Sequence, residues 1–392
     1  MADDTENHDF DPDRCSEFVS RAPILSAPKN WKLGKSKPEP WRQKAEKEEE
    51  VDRRRKPTIT DIPVVFVHGW VSSSTHNVER TGAFSRAIDM GSDHASNVIA
   101  MGVNARKVSL IDWVQDHTET VVYTFDYSKV NGRWVTDKDI GPKLARGLEC
   151  LAKTYYRPAV AVAHSMGGLA LRQAASMINM PIKRVLSHVF TIATPNEGSD
   201  LAAVISNKLL SPTEARETAV QKLLVSALRE SAHSYEEKCK GDTGVPFVDA
   251  FEGEAGRALR TGSPELKQLP KMPREVEVHA VAGEIEIKQG VTLFGFTKSS
   301  STSVGDVIVS KESALSGASA NFRYSSVCTT RIVVRPMMAK SPRMLGVNLL
   351  YQGKKAVSSS FPCFHTNLTR ETNAAWKMIN VLDRAMSYEN FD

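Results

Sequence analysis

The residues best arranged for chemistry are Val160-Ala161-Val162-Ala163-His164-Ser165-Met166-Gly167-Gly168. A short apolar run stops at a small-x-Ser-x-Gly sequence, and a Leu/Ala-rich run follows (Leu169, Ala170, Leu171, Ala174, Ala175). The pattern predicts a buried strand, a tight turn and a helix, which together lift a serine hydroxyl out of the backbone at the end of a parallel sheet. Ala163 and Gly167 are small enough for strand and helix to pack closely around that corner. A serine presented in this way is a candidate nucleophile, but at its free pKa it is a weak one and needs a base. About one βα unit pair upstream, Ile62-Pro63-Val64-Val65-Phe66-Val67 reads as a second buried strand, and it ends in His68-Gly69-Trp70.

These segments carry a resemblance. Val65-Phe66-Val67-His68-Gly69-Trp70, Ala163-His164-Ser165-Met166-Gly167-Gly168 and Thr194-Pro195-Asn196-Glu197-Gly198-Ser199 resemble the α/β-hydrolase superfamily, in its lipase-like branch. The elbow is similar to the Ala-x-Ser-x-Gly form of bacillus-type lipases. The Thr-Pro segment is similar to a turn of lipases and inositol deacylases, with Asn196 where that turn often has His. The resemblance spans roughly residues 60–385. It implies an α/β fold with a mostly parallel sheet covered by helices on both faces, plus a helical cap. It further implies a Ser-acid-His order along the chain, with Ser165 as nucleophile. The backbone N–H groups of Trp70 and Met166 fall at the positions of the oxyanion donors.

His365 is the only histidine after residue 279, on a loop before a last helical pattern (Trp376, Ile379, Leu382, Met386), which makes it the expected base. Asp306, in Ser303-Val304-Gly305-Asp306-Val307-Ile308-Val309-Ser310, resembles the acid of a lipase Gly-Asp-Gly-x-Val segment, with Val307 in place of the second Gly. Glu284 and Glu286 compete for that role, because they directly follow the strand pattern Val276–Val281. His164 is expected to point away from the chemistry and His68 to stabilise its own loop. His188 and His279 lie inside strands and read as core or edge histidines.

Composition narrows the classes. The 392 residues are 41% hydrophobic and 25% charged, as in globular domains. A formal charge of +5 with both signs interspersed gives no nucleic-acid footprint. No apolar window approaches the ~18 residues of a membrane span, although contact with a membrane surface stays open. The acidic start Met1-Ala2-Asp3-Asp4-Thr5-Glu6 lacks the apolar core of a secretion signal, so cytoplasmic residence is the expectation. Five cysteines, Cys15, Cys150, Cys239, Cys328 and Cys363, show no metal-ligand spacing. Cys150 reads as a core thiol; pairing of Cys328 with Cys363 stays open.

Residues 1–57 carry charge blocks (Lys47–Glu50, Arg53–Lys56) and a Pro-broken stretch, and read as a disordered or loosely docked extension. Residues 58–392 form the expected hydrolase domain. Strand and helix patterns alternate at 62–67, 79–89, 120–125, 139–155, 159–163, 168–179, 185–193, 276–281 and 331–334, which implies parallel βα units. Residues 199–272 interrupt the rhythm. Ser211-Pro212-Thr213-Glu214 starts an amphipathic pattern through 213–229, expected as a cap over Ser165. The expected function is hydrolysis of small-molecule or lipid-like carboxylic esters through Ser165, His365 and Asp306, with no metal or cofactor. The same groups would also serve an acyltransferase, a thioesterase or an amidase, and a hydrolase fold can persist as a binding module.

Overall fold

The computed structural model describes residues 10–22, 57–70, 72, 82–85, 109–115, 119–130, 132–199, 253–293, 296–303, 305–316, 326–334 and 363–387. The strands are β1 (Ser20–Arg21), β2 (Ile62–Val67), β3 (Thr120–Phe125), β4 (Ala159–His164), β5 (Leu186–Ile192), β6 (Glu277–Leu293), β7 (Phe296–Ser303) and β8 (Ser326–Val334). They form one sheet in the order β1-β3-β2-β4-β5-β6-β7, with β8 also pairing β6. Pairing is parallel from β3 through β2, β4, β5 and β6 to β8. The two antiparallel partners are β1 on β3 and β7 on the far half of β6.

Parallel strands buried on both faces need continuous apolar runs. β2 and β4 supply them: every residue of IPVVFV and AVAVAH is buried. One face is covered by α2 (Gly141–Tyr155) and α3 (Met166–Met177). Leu144, Leu148 and Leu151 of α2, together with Leu169 and Ala170 of α3, meet Val65, Val67, Ala161 and Ala163 there. The other face is covered by α1 (Leu110–Gln115) and the last helix, α7 (Thr372–Ser387). Ile111, Met378 and Leu382 pack there on Val64, Phe66, Val162 and Phe190.

Chain direction reverses between β2 and β4: β2 leads outward to β3, whereas β4 leads to β5 and β6 on the other side. A crevice opens at the carboxyl ends of the strands at such a reversal. The loops that follow β2 and β4, residues 68–70 and 165–166, meet at this point.

Two expectations are corrected. Part of the 1–57 segment is not a loose extension. Cys15 and Val19 are buried in the core beside α2 and β3, and Ala22 N–H donates to the Val122 carbonyl. The Tyr155 hydroxyl donates to Tyr123, which in turn donates to the Pro12 carbonyl. Burial pushes the Tyr123 phenol up to about 12, so this chain of hydrogen bonds persists at neutral pH. Cys150 is not a free core thiol: it is bonded to Cys15, and Cys328 is bonded to Cys363. The sequence pattern around Cys150 shows an apolar helix face, and a thiol and half a disulfide occupy such a face equally well.

The stretch expected as a cap behaves differently at its C-terminal end. α4 (Glu254–Ala258) and α5 (Pro264–Gln268) place Ala255, Ala258, Leu259, Leu266 and Leu269 in the same core as α3. They are anchored by Arg172, whose guanidinium donates to the carbonyls of Leu269 and Pro270. This part belongs to the helical layer of the body rather than to a cover over Ser165. The amphipathic pattern 213–229 lies outside the described residues, as do the charge blocks of the N-terminal segment and Cys239. Of the helix expected over 79–89, residues 82–85 are described, and Gly82–Ser85 form a turn.

Candidate active site

Ser165 sits between β4 and α3 with φ 55° and ψ −130°, a backbone conformation that non-glycine residues seldom adopt. It is held there from both sides: its N–H donates to the Ile192 carbonyl of β5, and its carbonyl accepts from Gly168 N–H. The glycines that follow are required by close approach. A Cβ on Gly167 would lie 2.4 Å from the His68 carbonyl oxygen, and one on Gly168 would lie 2.1 Å from Thr194 Oγ1.

His365 opens a short 3₁₀ turn, His365–Arg370, just before α7. Its Nε2 lies 2.9 Å from Ser165 Oγ and its Nδ1 2.8 Å from Asp306 Oδ2. A carboxylate accepts only, so Nδ1 carries the proton and Nε2 is the free acceptor for the serine hydroxyl. Asp306 is fully buried. Its second oxygen, Oδ1, accepts from the N–H groups of Ile308 and Val309 at 2.9 and 2.7 Å. The backbone adds a further tie, from His365 N–H to the Asp306 carbonyl. Gly305 and Val307, on either side of Asp306, have φ 59° and 82°. Val307 therefore adopts the left-handed backbone for which the resembling segment uses glycine. Beneath them runs β6, where a Cβ on Gly283 would lie 2.6 Å from Asp306 Cβ.

The competing acids are engaged elsewhere. Lys311, the first residue of α6 (Lys311–Ser316), donates to Glu284 Oε1 at 2.8 Å, and Ser303 donates to the same oxygen. The Lys311 ammonium holds the Glu284 carboxyl below its usual range. Arg331 Nε donates to Glu286 Oε2 at 2.7 Å.

The His68–Trp70 loop is pressed against Ser165, since a Cβ on Gly69 would lie 2.7 Å from Ser165 Cβ. His68 secures this loop. Its Nδ1–H donates to the Gly69 carbonyl, its Nε2 accepts from Tyr127 N–H, and the Tyr127 hydroxyl donates to the His68 carbonyl. The Tyr127 ring stacks on the imidazole, and burial raises its phenol far above the usual range. Met166 is the first residue of α3, where N–H groups have no intrahelical acceptor. Trp70 packs against the core that contains Met166. Both expected oxyanion donors thus belong to segments that adjoin Ser165.

His164 departs from the expectation that it points away. Its Nε2–H donates to the His365 carbonyl at 3.0 Å, its ring lies 4.8 Å from the His365 ring, and Phe84 meets it edge-on. No periodicity announces this contact, because it joins residues 201 positions apart. The Thr194–Ser199 turn also serves the site at one remove. Ser199 Oγ donates to the Ile308 carbonyl, and Ser313 Oγ, which accepts from Glu197 N–H, donates to the Gly198 carbonyl. It therefore braces the loop that holds Asp306.

No family model and no curated protein matches this chain. Solved structures do. The chain is similar to the mature lipase BlEst2 of Bacillus licheniformis at 16% identity and TM-score 0.39, over 70% of this chain and 87% of that one. It is similar to the metagenomic carboxyl esterase MGS0156 at 13% identity and TM-score 0.36, over 89% and 82%. It is also similar to the Pyrococcus furiosus esterase PF2001 at 12% identity and TM-score 0.34, over 76% and 82%. The fold assignment rests instead on this chain's own strand order and connections. A mostly parallel sheet reverses direction beside a strained serine on a strand-to-helix elbow, an acid and a histidine follow on later loops, and helices cover both faces: the chain has the α/β-hydrolase fold.

Proposed function

We propose that this chain is a serine hydrolase that cleaves carboxylic esters, with acyl or lipid-like esters as its substrate class. The observation that carries this reading is the unbroken hydrogen-bond chain from Asp306 through His365 to Ser165. Ser165 Oγ attacks the ester carbonyl carbon while His365 Nε2 takes its proton. The oxyanion of the tetrahedral intermediate accepts from Met166 and Trp70 N–H. Each such donor is worth about 2.7–4 kcal/mol in enzymes of this chemistry. Collapse breaks the carbonyl–alkoxy bond, and His365 returns the proton to the departing alcohol. Water, deprotonated by His365, then attacks the acyl-enzyme carbonyl; the acyl–Oγ bond breaks, His365 returns the proton to Ser165 Oγ, and the acid is released. Asp306 fixes the imidazole tautomer throughout and stabilises the imidazolium. The acyl-chain preference is supported by Trp70, a partly buried apolar side chain on the loop that adjoins Ser165.

The test is hydrolysis of a p-nitrophenyl ester series from two to twelve carbons by wild type and Ser165→Ala. Activity that rises with chain length and disappears in Ser165→Ala supports the reading. A flat series reduces it to a generic esterase. Undiminished turnover in Ser165→Ala overturns it. Product analysis with added alcohol separates hydrolysis from acyl transfer.

A further inference from the structure

We propose that His188, Glu277 and His279 form a binding site for a zinc-class divalent metal ion at the base of the sheet, away from the serine. Glu277 and His279 stand two residues apart on β6 and so project from the same face of the sheet. His188 on β5 is the register partner of Glu277. The face is the one under α7, where Phe190 and Val281 of the same strands pack with Met378 and Leu382. One ligand atom from each of the three side chains lies within 4.8 Å of the other two. Both imidazoles converge on one carboxylate: His279 Nε2 is 3.0 Å from Glu277 Oε1, and His188 Nε2 is 3.7 Å from Glu277 Oε2.

The donor set is the one zinc takes. Two imidazole nitrogens and a carboxylate oxygen at about 2.0–2.2 Å fill three tetrahedral positions. Ligand atoms in such a shell stand about 3.4 Å apart; the two histidine–carboxylate distances bracket that value, and the imidazole nitrogens, within 4.8 Å of each other, close on the ion by small ring rotations. Both histidines are almost fully buried, at 1% and 3% exposure, whereas the Glu277 side chain is 34% exposed. The rings are therefore preplaced, and the carboxylate gives the ion its entry and leaves the fourth position to solvent. Arg384 Nη1 lies 3.4 Å from Glu277 Oε1 and is the built-in competitor for that oxygen. Along β5, His188 is four residues before Ile192, which pairs with His164. That places the cluster roughly 13 Å from the nucleophile's strand end. The ion would tie β5 to β6 beneath α7 without entering the ester chemistry.

The experiment uses the full chain, stripped with a chelator and dialysed against Zn2+. Wild type is expected to retain one Zn2+ per chain, with a higher Tm than the stripped protein and unchanged kcat. X-ray absorption of the zinc-loaded wild type should show two imidazoles among N/O neighbours at about 2.0–2.1 Å, a readout that needs no variant. The double variant His188→Ala/His279→Ala should lose more than about 100-fold in affinity, since even outer-sphere partners are worth about 10–100-fold. Arg384→Met should bind several-fold more tightly. Failure of wild type to retain zinc, absence of imidazole from the metal's shell, or equal binding by the double variant overturns the proposal. None of these outcomes depends on whether Ser165 hydrolyses esters.

Discussion

At the residue scale, the account turns on how His365 is held. Asp306 fixes Nδ1, and two backbone N–H groups fix Asp306. Asp306→Asn keeps the shape but can present an amide N–H to Nδ1, and it then stabilises the wrong tautomer. A loss of about 10⁴ in kcat is expected, the size seen when a triad carboxylate is replaced in this way, with little change in KM. Steady-state kinetics on a p-nitrophenyl ester checks it, and a loss below tenfold would place the orienting acid elsewhere. In the proposed mechanism His164 acts as a positioning residue, because its Nε2–H donates to the His365 carbonyl rather than to the ring. His164→Ala should lower kcat about 10–100-fold with KM unchanged, whereas His164→Gln, which keeps an N–H donor, should recover most of it. If both variants lose only Tm and turn over normally, the contact is structural alone.

At the element scale, the strand-turn-helix unit was legible in the sequence because its physics is local. An apolar run, small residues at the corner and an apolar helix face all lie within residues 159–179. The positions of Asp306 and His365 beside Ser165 follow from resemblance and chain order, and Val307 adopts the left-handed backbone for which the resembling segment uses glycine. What escaped was nonlocal. Pairing of Cys15 with Cys150, docking of Pro12 on Tyr123 and the His164–His365 contact each join distant segments, and none leaves a period or a spacing. The elbow also depends on Gly168, whose missing Cβ leaves room for Thr194. Gly168→Ala should destabilise the protein by about 1–3 kcal/mol, the cost of overpacking a tight site. Adding Thr194→Ala removes the two nearest contacts and should restore part of that loss. Urea unfolding of the single and double variants measures it; additive losses would show that the two positions do not press on each other.

At the scale of the whole molecule, the N-terminal segment, the sheet and the His365 loop are linked covalently. One bond ties residue 15 to α2 and another ties β8 to the residue two before His365. Of five cysteines, four are paired, which leaves Cys239. Thiol titration of denatured, unreduced protein should therefore find one thiol per chain; five would mean that both bonds are absent in the protein as isolated. The central claim remains that Ser165 is the covalent nucleophile, and its most direct test is intact-mass analysis after treatment with a fluorophosphonate. The account predicts one phosphonyl adduct per chain, mapped by peptide sequencing to Ser165 and absent from Ser165→Ala. An unlabelled wild type, or an adduct that persists in Ser165→Ala, would contradict it.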